Sequence, residues 1–161
     1  MSGTDNFVLR STVTSPFGRK VRMAIDVLRL GDRIKVQPAD PLDENDTLRQ
    51  QNPLGKMPCL VLADGSTIFD SGIIIEYLQD VAGTDRLLPL KGRDRYRALT
   101  LARLADGIMD ASILVVYENR FRPDATTHSP RWLAHQRGKI TRGLSVFEKT
   151  TPDPKKSDIV A

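Results

Sequence analysis

Three short stretches of the chain carry groups that could bind and activate a small peptide-like molecule. Ser15-Pro16 begins a helical pattern, and a hydroxyl beside unpaired helical N–H groups can stabilise an anion. Asp70-Ser71 begins a second helical pattern, where a helix N-terminus can bind a carboxylate and an acidic side chain an ammonium group. Between them, the turn at Met57-Pro58 is expected to leave the Met57 N–H and C=O free to pair with an extended peptide.

The segment around Pro58 predicts the centre of a sheet. The run 58–62 is apolar without alternation, which is typical of a strand covered on both faces. Because proline has no N–H to give to a ladder, we expect Pro58 to open this strand. A cis bond before proline costs only about 0.5–1 kcal/mol, so the Met57-Pro58 bond is a candidate for the cis form.

The elements that must position these groups form a first, mixed domain. Apolar or alternating runs predict four strands, at 7–11, 34–37, 58–62 and 67–69. Asp64-Gly65 predicts that the last two strands form an antiparallel hairpin. Helical spacing predicts a helix over 16–30 with Gly31 at its C-terminal cap, and another from Asp70-Ser71 onward. Residues 38–48 are predicted to form a loop with one irregular helical turn. Together these elements predict a four-stranded mixed sheet with helices on its faces.

The second half of the chain predicts only helices. A break at 83–90 indicates a linker between domains at 1–82 and 91–161. A long helix is expected over 94–119, with one stripe formed by Leu101, Leu104, Ala105, Ile108 and Ser112. A second helix should start at His128-Ser129-Pro130 and stop at Pro152 and Pro154, and Ser157 is expected to begin a third.

Composition excludes several classes of function. The 161 residues are 40% hydrophobic, and the net charge is +4. The basic residues are mixed with 20 acidic residues and form no block, which argues against nucleic-acid binding. No apolar run reaches about 18 residues, and the N-terminus lacks a signal-peptide pattern, which favours the cytoplasm over a membrane. The single cysteine, Cys59, excludes an internal disulfide and is expected in the core. His128 and His135 lack ligand partners, so no metal is predicted.

Three motifs, in order, resemble the cytosolic glutathione transferases. They are Ser15-Pro16-Phe17-Gly18-Arg19-Lys20-Val21-Arg22, Asn52-Pro53-Leu54-Gly55-Lys56-Met57-Pro58, and the ten residues from Phe69 to Leu78. The likeness is closest to bacterial members with a Ser-Pro-Phe first turn, and it is close from Phe7 to Tyr77. It implies a thioredoxin-like α/β domain followed by an all-α domain, and a homodimer. Family members continue for several more helices, so the helical domain at 91–161 is expected to be incomplete.

The resemblance assigns a role to each candidate residue toward glutathione. Ser15 would hold the thiolate, the Met57 backbone would pair with the cysteinyl residue, and Asp70 and Ser71 would bind the γ-glutamyl end. Near these anchors, Phe17, Lys56 and Pro58 would border the site, with Lys56 close to the glycyl carboxylate.

Several of these residues also have an alternative explanation. Without the resemblance, Ser15 is better explained as a helix cap alone, and the cap explanation accounts equally well for Asp70-Ser71. Ser11, Thr12 and Thr14 lie close enough to replace Ser15 as the thiol donor. For Lys56, an exposed loop position is a sufficient explanation.

The sequence therefore predicts a glutathione transferase that conjugates glutathione to a small apolar electrophile. Met109, Ile113 and Tyr117 could line part of the electrophile pocket, although helix packing is the default explanation for such residues. Two alternatives use the same fold: a non-catalytic binding or regulatory protein, and a glutathione-dependent peroxidase or dehalogenase.

Overall fold

A computed structural model describes residues 6–150, and these divide into two compact units that meet in sequence at Arg86 and Leu87. The first unit contains β1 (Phe7–Arg10), α1 (Pro16–Leu28), a 3₁₀ turn (Gly31–Arg33), β2 (Ile34–Gln37), α2 (Leu48–Gln51), β3 (Cys59–Val61), β4 (Thr67–Ile68) and α3 (Ser71–Ala82). The second contains α4 (Gly92–Phe121), a 3₁₀ turn (Ala125–Thr127) and α5 (Pro130–Lys149). The prolines predicted to end the last helix and the helix start predicted at Ser157 lie outside the described residues.

The first unit is built on a four-stranded mixed sheet with strand order β2-β1-β3-β4. β1 is parallel to β2 and antiparallel to β3, and β3 is antiparallel to β4. This arrangement confirms the predicted thioredoxin-like α/β class, the central position of the apolar strand and the hairpin at Asp64-Gly65. The strand itself begins at Cys59, one residue after Pro58.

Helix α1 buries the face that its sequence spacing predicts. Val21, Ala24, Ile25 and Leu28 are all buried. The predicted cap at Gly31 is wrong, because the helix ends earlier: Arg29 takes the left-handed conformation, and its N–H donates to the Asp26 and Ile25 carbonyls. Gly31 instead begins the 3₁₀ turn that leads into β2.

Helix α4 differs from the stripe that its sequence predicts. The large side chains of that stripe are half-buried, and the buried positions are Ala98, Ala102, Asp106, Ala111 and Glu118. Small residues allow close helix approach: a Cβ added at Gly143 of α5 would meet Ile108 of α4 at 2.5 Å. The Glu118 carboxylate also accepts the Ser129 N–H at 3.1 Å, so α4 binds the segment that starts α5.

Arg10, the last residue of β1, is a buried cation to which the sequence analysis gave no role. Its side chain is 3% exposed and forms an ion pair of 2.6 Å with the Asp46 carboxylate. One guanidinium nitrogen donates to Thr47 Oγ1 at 2.8 Å and to Gln51 Oε1 at 2.7 Å, and the other donates to the Pro38 carbonyl at 3.2 Å. The guanidinium therefore ties the 38–51 segment to the sheet.

Hydrogen bonds hold the pKa of Asp46 below its ordinary value of 3.8. The largest cause is the Asp40 N–H, which donates to Asp46 Oδ2 at 2.8 Å. The Leu48 N–H and the Arg10 guanidinium donate to Oδ1 and act in the same direction. The folded protein therefore favours the ionised carboxylate.

Asp46→Asn should lower the free energy of unfolding at pH 7 by about 1.5–3 kcal/mol, the usual range for hydrogen bonds to charged groups. Since the folded-state pKa is depressed, the stabilisation is complete above pH 3.8 and is lost as pH falls through the folded-state pKa. Urea unfolding at several pH values measures the difference in the free energy of unfolding between wild type and Asp46→Asn. Asp43→Asn, an exposed change in the same loop, should stay within about 0.5 kcal/mol of wild type. A difference that stays constant down to acid pH would contradict stabilisation by the ionised Asp46 carboxylate.

Candidate functional site

The sheet register brings three of the predicted stretches to one edge. Arg10 at the end of β1 pairs with Cys59 at the start of β3, so the residues after Arg10 and before Cys59 lie at the same edge. Leu60 of β3 pairs with Ile68 at the end of β4, which brings the start of α3 there as well. The Thr12 hydroxyl donates directly to Met57 Sδ at 3.4 Å. The first turn of α1, the loop before β3 and the N-terminus of α3 therefore share this edge.

Ser15 is the N-cap of α1, as the Ser-Pro pair predicts. Its Oγ is half-buried and accepts the Gly18 N–H at 3.1 Å, while Pro16 occupies the first helical position. Accepting this bond leaves the hydroxyl hydrogen of Ser15 available for an anion. Capping and thiolate binding are therefore compatible roles for one side chain.

The rival hydroxyl donors occupy different environments. Ser11 is 1% exposed and its Oγ faces the Thr12 carbonyl at 3.4 Å, beneath Gly18 of α1. Thr12 Oγ1 lies 3.2 Å from Thr14 Oγ1 and donates to Met57 Sδ. Thr14 is exposed. The burial of Ser11 argues against it as a ligand donor, while Thr12 and Thr14 stay alternatives to Ser15.

Asn52 shapes the loop that presents Met57. The Asn52 side chain is buried, its Oδ1 accepts the Leu54 N–H at 3.0 Å, and its Nδ2 donates to the Lys56 carbonyl at 2.8 Å. Gly55 supplies the left-handed turn at φ +59, and its N–H donates to the Asn52 carbonyl at 2.8 Å. Asn52 lies within one of the sequence motifs, but the motif alone did not predict this role. Asparagine followed three residues later by glycine was the available signal.

Met57 has an unpaired backbone N–H and an unpaired backbone C=O at this edge. Within residues 6–150, neither its N–H nor its C=O makes a hydrogen bond. The side chain is half-buried against a small cluster of Ala39, Leu48 and Cys59. The Met57–Pro58 bond is cis, the form for which the sequence made it a candidate. Pro58 is buried and Lys56 is exposed.

Asp70 caps α3 at the same edge. Its Oδ1 accepts the Gly72 N–H at 2.9 Å and the Ile73 N–H at 3.3 Å, and the residue is exposed. The next residue, Ser71, is only 3% exposed. Phe17 is half-buried in the first turn of α1, with the Lys20 ammonium 6.0 Å from its ring centre. This end of α3 thus combines a carboxylate with helical N–H groups.

The sequence also singled out Cys59, three residues of α4 and the two histidines. Cys59 is fully buried, as predicted, and burial raises the pKa of its thiol. On α4, Tyr117 is exposed while Met109 and Ile113 are half-buried, so their part in an electrophile pocket stays a prediction. Across residues 6–150, His, Cys, Asp and Glu form no group that could hold a metal ion.

In the described part of the chain, no helix combines the length and apolar character needed to cross a bilayer.

Gly18→Ala should destabilise the protein by about 1–3 kcal/mol, because the new Cβ would overlap the Oγ of buried Ser11. Gly107→Ala is the matched control: it also lies within a helix, has no atom within 4 Å of an added Cβ, and should be neutral or stabilising. Adding Ser11→Ala to Gly18→Ala removes the overlapping oxygen and should recover most of the loss. Thermal and urea unfolding measure all three, and equal stability of the two glycine variants would refute the close contact.

Comparison with known proteins agrees with this arrangement. Residues 14–81 match the family described as "Glutathione S-transferase, N-terminal domain". The uncharacterized GST-like protein YibF of Escherichia coli is 39% identical over 140 residues, which cover 87% of this chain and 67% of YibF.

Solved structures of glutathione transferases also superpose on this chain. A glutathione transferase family member from Pseudomonas fluorescens with bound glutathione superposes with a TM-score of 0.83 at 40% identity, over 89% of this chain and 71% of that one. A glutathione S-transferase from Methylobacterium radiotolerans, in complex with glutathione sulfonate, reaches 0.84 at 32% identity, over 96% and 75%. The chain thus spans about two thirds to three quarters of these relatives. It belongs to the glutathione S-transferase family.

Proposed function

We propose that the protein activates the thiol of glutathione and conjugates it to a small apolar electrophile. The observation that carries this proposal is the unpaired backbone N–H and C=O of Met57, located at the same sheet edge as the capping hydroxyl of Ser15. Relatives solved with glutathione or glutathione sulfonate support the choice of ligand.

Thiol activation requires stabilisation of the thiolate. A free thiol has a pKa of about 8.5, so only a few per cent is ionised at pH 7, and lowering the pKa by two units takes about 2.7 kcal/mol. The Ser15 hydroxyl and the N-terminus of α1 can contribute this through one or two hydrogen bonds. The thiol proton leaves to solvent, and the sulfur then forms a C–S bond while the leaving group departs with its electron pair.

The remaining anchors match the rest of the tripeptide. The Met57 N–H and C=O would pair with the cysteinyl backbone, as in strand addition. Asp70 would pair with the γ-glutamyl ammonium, and the N-terminus of α3 at Ser71 would receive the γ-glutamyl carboxylate. Phe17 and Pro58 would border the site, and Lys56 would approach the glycyl carboxylate.

Ser15→Ala should reduce turnover of chloro-dinitrobenzene at least tenfold, with the Kd for glutathione nearly unchanged, because only the thiolate donor is lost. The variant also loses a helix cap, which costs about 1 kcal/mol of stability. Ser129→Ala is the matched control, since Ser129 also precedes proline and caps a helix, accepting the Trp132 N–H at 3.3 Å. It should lose similar stability with turnover intact. Unchanged turnover in Ser15→Ala would transfer the role to Thr12 or Thr14.

Asp70→Asn should raise the Kd for glutathione about tenfold or more, because it removes the charge that pairs with the ammonium group. Asparagine caps helices as well as aspartate, so stability without ligand should change little. The measurement is the thermal shift. Glutathione at 100 times its Kd should add about 2.7 kcal/mol to the free energy of unfolding of wild type. Asp124→Asn, at the exposed cap of the 3₁₀ turn before α5, should leave the shift unchanged. Absence of any shift in wild type would remove glutathione as the ligand.

Turnover separates the enzyme from the alternatives. Glutathione binding without conjugation of a generic electrophile would favour a binding or regulatory protein. Peroxidase or dehalogenase activity would use the same anchors with a different second substrate. Homodimerisation and a cytoplasmic location stay predictions.

A further inference from the structure

We propose that Arg10 is a positioning residue for glutathione binding, acting through Gln51 on the segment that presents Met57. This inference rests on the proposed function. Arg10, Asp46, Thr47 and Gln51 together form the Arg10 network. None of these four residues is among the proposed glutathione anchors.

Gln51 connects Arg10 to the loop that contains Met57. Gln51 is the last residue of α2, and its Oε1 accepts from the Arg10 guanidinium at 2.7 Å. The next residue, Asn52, ends the helix with its N–H on the Leu48 carbonyl at 2.7 Å. Asn52 also fixes the loop conformation through Leu54 and Lys56. The guanidinium thus sets the point from which the 52–57 segment departs.

Helix α2 also contributes to the surface that Met57 packs on. The Gln51 carbonyl accepts from Cys59 Sγ at 3.7 Å, two residues beyond Met57. Met57 packs on the cluster of Ala39, Leu48 and Cys59, which includes one residue of α2. A displacement of α2 would therefore move both ends of the loop and the surface under Met57.

An arginine at this buried position has an energetic cost. A buried ion pair is expensive to desolvate, and a well-packed apolar group is often at least as stabilising. Here Arg10 Nε is buried and finds no acceptor among the described residues, which adds to the cost. The planar guanidinium, however, donates in fixed directions to acceptors that are 28 to 41 residues away in sequence. Geometry explains the residue better than stability does.

The test compares two neighbouring glutamines of α2. Gln51→Leu removes one of the four acceptors of Arg10 and keeps the Arg10–Asp46 ion pair, whereas Gln50→Leu makes the same chemical change at an exposed position. We expect Gln51→Leu to raise the Kd and KM for glutathione at least fivefold, with kcat at saturating glutathione within twofold of wild type. Gln50→Leu should change none of these values. Equal Kd in wild type, Gln51→Leu and Gln50→Leu would overturn the proposal.

Amide hydrogen exchange tests the network without glutathione. Exchange in the 52–57 segment should accelerate at least fivefold in Gln51→Leu and stay unchanged in Gln50→Leu. Unchanged exchange in both would refute the positioning role even if wild type failed to bind glutathione. Conversely, accelerated exchange in a protein that does not bind glutathione would refute the proposed function and keep the network. Arg10→Lys, which keeps the charge but loses the fork, should raise the Kd in the same direction, and an unchanged Kd in this variant would also count against the proposal.

Discussion

The antiparallel pairing of β1 with β3 is the constraint on which the candidate site depends. Because Arg10 lies opposite Cys59, the turn that leaves β1 and the loop that enters β3 must meet at one edge. A slip of one residue in this register would send the buried side chains of β3 to the opposite face. The hydrophobic pattern that fixes the core therefore also fixes which polar groups become neighbours, and the Thr12–Met57 contact is one result.

The polar groups at this edge serve the fold and the proposed chemistry together. Ser15 and Asp70 each satisfy helical N–H groups that would otherwise lack partners, and this capping fixes the position of each side chain. Capping of α1 uses a lone pair of Ser15 Oγ, and it leaves the Ser15 hydroxyl hydrogen for a ligand. Since the side chains are already held, binding would not require their ordering, which is one of the general costs of association.

The sequence predicted the features that have local causes. Ser-Pro pairs marked the starts of α1 and α5, and Asp64-Gly65 marked the hairpin, because each signal lies within a few residues of its effect. Local spacing gave a wrong prediction for the end of α1, where contacts with the rest of the fold matter. The helix ends at Arg29, although Gly31 is intrinsically the better cap. Arg10 gave no signal, since a cation in an apolar strand is explained only by acceptors that lie far along the chain. The roles of the site residues stay predictions.

The segment between β2 and α3 of the first unit depends on side-chain hydrogen bonds, because its regular elements are short. β3 has three residues, β4 two and α2 four, so regular backbone hydrogen bonding holds little of the chain between β2 and α3. Buried polar side chains hold the rest, because Asn52 fixes the loop internally and Arg10 fixes the segment before it. An apolar residue at either position could fill the volume, but non-directional packing would specify the position of the Met57 peptide group less well than directed hydrogen bonds do. The geometry of the proposed glutathione contact is thus determined by polar groups that glutathione itself would not touch.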